Sequence, residues 1–296
     1  MKIAIFGAGN IGAAVANDLI VSDSLSQKLD SIALVDAVEQ IARGKALDLA
    51  HTAAVYERDL RISGSTEPGD IADAGIVVIT AGRARKAGQS REELFGSNAA
   101  IVAQCARDTA KYAPGSIIVV VTNPLDMMVY AALQASGFAK ERVIGMAGEL
   151  DGARLKFELA RASGKEISSM RSAIVGPHSE EMIALKNELG FEISDEIFDG
   201  AVQNTKHAGA QIGELLGTSA YLAPAAGIVK IIKYILFDTC GTLACCVADR
   251  SGVPLGRFVS VGKMGAIERN FAYSGEFYEQ LERMRERIAE LKFLWK

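Results

Sequence analysis

Histidine is scarce in this chain. Only His51, His178 and His207 occur among 296 residues, so any proton transfer near neutral pH has few places to happen. Cysteine is nearly as rare. Cys105, Cys240, Cys245 and Cys246 show no C-x-x-C pairing, and no histidine lies at ligand spacing beside them. Neither a disulfide framework nor a thiolate metal site is expected, and reduced thiols in a cytoplasmic protein are.

No apolar run is long enough to cross a membrane cleanly. The nearest, 220–237, is interrupted by Lys230 and Lys233 and has Pro224 near its start. It reads as a largely buried helix at a subunit contact. The first motif begins at residue 2, which leaves no room for a signal peptide. The formal net charge is −4, so no nucleic-acid or membrane partner is indicated, and an anionic substrate would need a local basic cluster. Linkers rich in proline or serine, internal repeats and low-complexity tracts are all absent.

What is present starts at Lys2. An apolar run to Phe6 has the length of a buried parallel strand, and it breaks into Gly7-Ala8-Gly9-Asn10-Ile11-Gly12. Strand, Gly-x-Gly-x-x-Gly, then helical spacing over 10–21 is the context of a dinucleotide fingerprint. Gly7 permits a tight turn, Gly9 lets a pyrophosphate approach the backbone, and Gly12 brings helix and strand together. The helix N-terminus offers unpaired N–H groups to phosphates. A second strand at 32–35 ends in Asp36, where such a fold places the carboxylate that accepts the ribose hydroxyls. A carboxylate there repels a 2′-phosphate, which favours NAD over NADP. The competing reading is that Asp36 only caps the next helix.

Strands expected at 60–63, 75–80, 117–121 and 143–145 alternate with helices at 38–50, 90–112 and 124–136. This pattern means a doubly wound parallel α/β sheet, the Rossmann arrangement, over residues 1–145. Its ligand crevice lies beyond the carboxyl ends of the strands, where the turns 7–12, 81–91 and 122–126 fall. The second part, 146–296, reads as an α+β catalytic domain. Helices are expected at 149–163, 206–216, 220–237 and 275–295, with strands at 171–175, 182–185, 191–193, 243–247, 258–261 and 266–271. Hydrophobic residues at 49% and charged ones at 23% suffice for two ordinary cores.

Among the histidines, His178 follows a strand at a turn. Asp151 and Arg154 are three apart on one helix and share a face. An aspartate can hold an imidazole by one nitrogen, and an arginine can grip a carboxylate with two bonds. An ordinary surface ion pair would look the same. In AGRARKAGQSR, at 81–91, Arg83, Arg85, Lys86 and Arg91 fall close together, with Gly82 and Gly88 as hinges. The segment is either a solvated basic loop or a lid that closes over an anion.

Taken in order, these motifs resemble the NAD-dependent lactate and malate dehydrogenases over essentially the whole chain. The markers are the glycine turn, Asp36, AGRARKAGQSR, TNPLD at 122–126, GMAGELDGARLKFELA at 145–160, GPHSEEM at 176–182 and GTSAYLAP at 217–224. The lid is similar to that of the lactate-dehydrogenase-like malate enzymes. The resemblance implies His178 as proton donor and acceptor with Asp151 as its partner. It implies Arg154 for the carboxylate beside the reacting carbon, Arg91 for the carbonyl oxygen and Asn123 for a substrate oxygen, with a cis Asn123–Pro124 bond. Arg85 would take the second carboxylate of a dicarboxylate, where a lactate enzyme usually has glutamine. Gly7, Gly9, Asn10, Ile11, Gly12, Asp36, Asn98, Thr122 and Asn123 would form the NAD site. A homotetramer, or a dimer, is implied. The chain departs from the family at Ala87, where proline is usual, and at Ser179-Glu180-Glu181, in place of Gly-Asp-Ser. A lactate or broader 2-hydroxyacid dehydrogenase, and a nucleotide-binding protein without catalysis, remain the other readings.

Overall fold

The computed structural model describes residues 1–83 and 91–291, with side chains for all of these except 91–94. The first half runs β1 (Lys2–Phe6), α1 (Asn10–Val21), α2 (Asp23–Ser26), β2 (Ser31–Val35), α3 (Glu39–Val55), β3 (Arg61–Ser65), β4 (Ile76–Ile79), α4 (Arg91–Tyr112), β5 (Ile117–Val120), α5 (Leu125–Ser136) and β6 (Val143–Gly145). The second runs α6 (Gly148–Ser163), β7 (Ile174–Val175), β8 (Ile183–Ala184), α7 (Asp195–Leu216), α8 (Leu222–Leu236), β9 (Gly241–Ala248), β10 (Pro254–Gly262), β11 (Gly265–Glu268) and α9 (Gly275–Leu291).

The first six strands pair in parallel in the order β3-β2-β1-β4-β5-β6. Their central members are continuous apolar runs because both faces are covered. Side chains alternate between the faces with a period of two. Ile3, Ile5, Ile32, Leu34, Ile76 and Val78 enter one core, and Ala4, Phe6, Ala33, Val35, Val77 and Ile79 enter the other. Each large side chain fully buried contributes roughly 1.5–3 kcal/mol, so the sheet is where the fold is most firmly held.

The strands of the second half do not build a separate large sheet. β9, β10 and β11 are antiparallel to one another and extend the first sheet past β6, through the pair Gly145–Cys246. Gly145 stands there because a Cβ would meet Cys246 Cβ at 2.9 Å. A third core lies under α6 and α7, formed by Leu155, Leu159, Met170, Ile174, Met182, Leu189, Phe198 and Ala201.

Several sequence expectations need correcting. Residues 191–193 form no strand; Phe191 lies under Lys165, 5.1 Å from its Nζ, and packs on the third core instead. The strand expected at 171–175 shrinks to Ile174–Val175. The helix expected at 206–216 begins at Asp195, where Ser194 caps it by accepting the Ile197 N–H. The helix expected at 220–237 is present as α8, and its buried face (Ile228, Ile231, Ile232, Ile235) sits in the core on α1's side of the sheet, in keeping with the expected buried helix. Among the described residues no helix is long and apolar enough to cross a membrane.

Candidate active site

The strand order reverses between β1 and β4, and this switch point opens a crevice at their carboxyl ends. The glycine turn lies on its floor. Gly7 has φ +98°, and a Cβ on it would lie 2.7 Å from Thr80 Oγ1. A Cβ on Gly12 would collide with the Gly7 carbonyl oxygen. Gly9 differs: it caps α1 at φ −70°, and a Cβ there would meet nothing within 4 Å. The fold does not require a glycine at that position, but a ligand lying against the backbone would. Asn10 and Ile11 begin α1, at the positive end of its dipole.

Asp36 closes the far side. Its Oδ2 accepts the Ala8 N–H at 2.8 Å and its Oδ1 accepts the Val38 N–H at 3.0 Å. The carboxylate therefore braces the glycine turn and orders the approach to α3, whose N-cap position is Val38 rather than Asp36. A glycine turn open at Gly9, a helix N-terminus and a carboxylate beyond them fit a dinucleotide.

At the opposite wall Thr122, buried, donates from Oγ1 to the Ala81 carbonyl at 2.7 Å. Asn98 is 2% exposed; its Oδ1 accepts the Arg83 N–H at 2.8 Å and its Nδ2 donates to the carbonyls of Arg83 and Asn123 at 3.2 and 2.8 Å. Its amide fastens the start of the basic segment to the turn at Asn123. Asn123 is exposed, and the Asn123–Pro124 bond is cis, as expected. Arg85 lies outside the described residues. Arg91 opens α4, and its side chain is likewise outside them.

The candidate acid–base group comes from the second half. β7 and β8 form a short hairpin, and His178 sits in its connection. Gly176, at φ +88°, exchanges backbone hydrogen bonds with Gly256 of β10, which anchors the connection to the large sheet. His178 Nδ1 lies 2.7 Å from Asp151 Oδ2, and Arg154 Nη1 lies 3.4 Å from Asp151 Oδ1. Asp151 is almost completely buried, whereas His178 and Arg154 keep 17% and 18% of their side-chain surface exposed. The surface-pair reading of Asp151 and Arg154 is thereby set aside. No described residue bonds His178 Nε2. His51 is exposed on α3, and His207 Nδ1 bonds the Gln203 carbonyl on α7, so neither faces a carboxylate.

Burial disfavours a charged imidazole and is the largest single influence on His178. The charge and hydrogen bond of Asp151, joined by the charge of Asp126, outweigh it against the opposing Arg154, and the pKa stands above the ordinary histidine value. Asp126 was missed as a site residue by sequence reasoning, which saw only the end of a polar turn. Its signal was an acid followed at once by the apolar Met127-Met128-Val129. It is buried in the first turn of α5 and its Oδ2 accepts the His178 backbone N–H at 3.0 Å.

A buried Asp–His pair, an arginine one turn along the same helix and a dinucleotide crevice match one group of oxidoreductases. Residues 1–145 match the family model described as lactate/malate dehydrogenase, NAD binding domain, and residues 148–292 match lactate/malate dehydrogenase, alpha/beta C-terminal domain. The chain belongs to the lactate/malate dehydrogenase family. A curated malate dehydrogenase from Chlorobium chlorochromatii is 40% identical over 253 residues, 83% of this chain and 80% of that protein. The crystal structure of malate dehydrogenase from Plasmodium falciparum in complex with NADH superimposes with a TM-score of 0.91 at 28% identity, covering 100% of both chains. A lactate dehydrogenase from Cryptosporidium parvum, complexed with lactic acid and nicotinamide adenine dinucleotide, gives 0.88 at 28% identity, covering 99% of this chain and 97% of that one. Within this family of dehydrogenases the first half of the chain is the NAD-binding domain and the second the α/β C-terminal domain.

Proposed function

We propose that the protein is an NAD-dependent malate dehydrogenase interconverting L-malate and oxaloacetate. The observation that carries the reading is the 2.7 Å contact between His178 Nδ1 and Asp151 Oδ2, with Arg154 on the same helix. NAD, when bound, supplies the ring that takes up or gives back the hydride. The chain's own residues do the rest. Asp151 fixes the imidazole by Nδ1 and leaves Nε2 to take the hydroxyl proton of malate, or to return it to oxaloacetate. Arg154 grips the carboxylate next to the reacting carbon. Arg91 polarises the carbonyl, Arg85 holds the second carboxylate, and Asn123 contacts a substrate oxygen. Gly7, Gly9, Asn10, Ile11 and Gly12 cradle the pyrophosphate, and Asp36 takes the adenosine ribose. Thr122 and Asn98 hold the crevice wall, Asn98 through its bonds to Arg83 and Asn123.

The domain boundary falls at 145/146, between β6 and α6. Apolar side chains left exposed on α3 (Ile41, Leu47, Val55), at the end of α7 (Leu215, Leu216) and at the start of α8 (Leu222) support a homo-oligomer, a tetramer or a dimer. A cytoplasmic site and a place in the tricarboxylic acid cycle follow from the same reading. A lactate or broader 2-hydroxyacid dehydrogenase is the second reading, favoured by the likeness to the Cryptosporidium enzyme. Loss of the NADH absorbance band on mixing with oxaloacetate tests the proposal; a band that persists rejects it.

A further inference from the structure

Asp126 is a buried acid with an unusual set of neighbours. It belongs to the first turn of α5, directly after Asn123–Pro124, and is 7% exposed. Its Oδ2 accepts the backbone N–H of His178, 52 residues away in the other half of the chain. Its Oδ1 is buried without a hydrogen-bond partner. An acid that served only to cap α5 would accept N–H groups of its own helix. Instead its strongest bond reaches the residue that carries the imidazole, and its other close polar neighbour is the weakly donating Cys246 thiol of β9. Burying a carboxylate is costly, and burial pushes the Asp126 carboxyl above the ordinary aspartate range despite the His178 N–H and the His178 charge, which pull it down.

We propose that Asp126 is a positioning residue for His178: from the sheet half it fixes the His178 peptide at a set distance from Asn123, and its charge stands behind the imidazole. The proposal rests on His178 being the proton-transfer group. Asp151 and Asp126 then act on one residue from two directions, one at the ring and one at the main chain. Asp151 determines which ring nitrogen is free, whereas Asp126 determines where the ring sits relative to the other side of the crevice. The charged or titratable groups facing His178 among the described residues are Asp151 and Arg154 on α6 and Asp126 on α5. The Cys246 thiol of β9 lies beside Asp126, and burial raises it well above the ordinary thiol range. It adds no charge near neutrality. Asp126, in its ionised form, is therefore the second source of negative charge on the imidazole, and a protonated His178 in turn favours that form.

The test compares Asp126→Asn and Asp126→Ala with wild type and with His178→Asn. The readouts are kcat and KM for oxaloacetate across pH, NADH affinity by fluorescence, and thermal unfolding. The asparagine variant keeps an oxygen for the His178 N–H but loses the charge. Its expected result is near-normal kcat at low pH with the alkaline fall in rate moved to lower pH. The alanine variant loses the grip as well, and its kcat is expected to fall more than tenfold while NADH binds as before. The proposal is overturned if the pH profile of Asp126→Asn superimposes on wild type. It is equally overturned if Asp126→Ala loses NADH affinity and unfolding temperature in step with kcat, which is the signature of a purely structural role. Failure of the functional reading looks different: wild type itself would not turn over oxaloacetate, or His178→Asn would remain fully active.

Discussion

His178 Nδ1 and Asp151 Oδ2 stand 2.7 Å apart although they come from a hairpin connection and a helix 27 residues earlier. The pair is built by folding, because α6 passes beneath β7 and presents its buried first turn to the connection. Asp151 sits in that turn together with Glu149, where the helix dipole favours acids. Glu149 locks the turn in place. It accepts the Ala244 N–H of β9 at 3.0 Å and pairs with Lys230 of α8 at 2.5 Å.

Removing the charge of Asp151 should change both the rate and its pH dependence. Burial alone would push His178 down, and the aspartates hold it above its usual value. Reduction of oxaloacetate needs the protonated ring, so its kcat/KM falls as pH rises through that raised pKa; malate oxidation needs the neutral ring and rises across it. In Asp151→Asn both transitions move to lower pH, and turnover drops about 10²–10⁴-fold. Stability follows the same linkage. The contribution of the raised pKa is fully present below the unfolded histidine pKa and is lost as pH rises through the folded one. Initial rates and unfolding temperature across pH check both statements.

Two of the fingerprint glycines, Gly12 and Gly9, should respond differently to substitution. Gly12→Ala drives a Cβ into the Gly7 carbonyl and lowers the unfolding temperature. Gly9→Asn meets no protein atom, and asparagine is a favoured helix cap, so stability should stay within about ±0.5 kcal/mol of wild type. NADH affinity should nevertheless fall by roughly tenfold or more. Titration of NADH fluorescence together with a melting curve distinguishes these outcomes.

Replacing Asp36 with serine should widen cofactor choice. Its carboxylate accepts the Ala8 N–H of the glycine turn, where its charge would repel a 2′-phosphate. The ratio of kcat/KM for NADPH to that for NADH should rise roughly tenfold or more, and an unchanged ratio would show that discrimination lies elsewhere.

Much of this was legible before folding was considered. The glycine turn, Asp36 and the alternating strands could be read because spacing along the chain is what local structure requires. His178 could be singled out once Asp151 and Arg154 shared a helix face. The role of Asp126 could not, since its partner is a backbone N–H and any residue would supply one. The join of β9 to β6 was hidden for a similar reason: one contact between Gly145 and Cys246 leaves no pattern in either strand. Short segments such as 191–193 misled because the apolar–polar–apolar alternation Phe191-Glu192-Ile193 suits a packed loop as well as a strand.

Specificity should depend on Arg85. With pyruvate its charge would be enclosed without an anionic partner, at a cost of roughly 2–5 kcal/mol. Arg85→Gln should therefore move preference sharply toward pyruvate. Strong retention of oxaloacetate in that variant would assign specificity to another residue.

The most direct measurement is a four-way comparison of kcat/KM, with NADH or NADPH as donor and oxaloacetate or pyruvate as acceptor. NADH with oxaloacetate should exceed each of the other three combinations by at least tenfold. Equal or faster reduction of pyruvate with NADH, or no turnover in any of the four, would contradict the assignment.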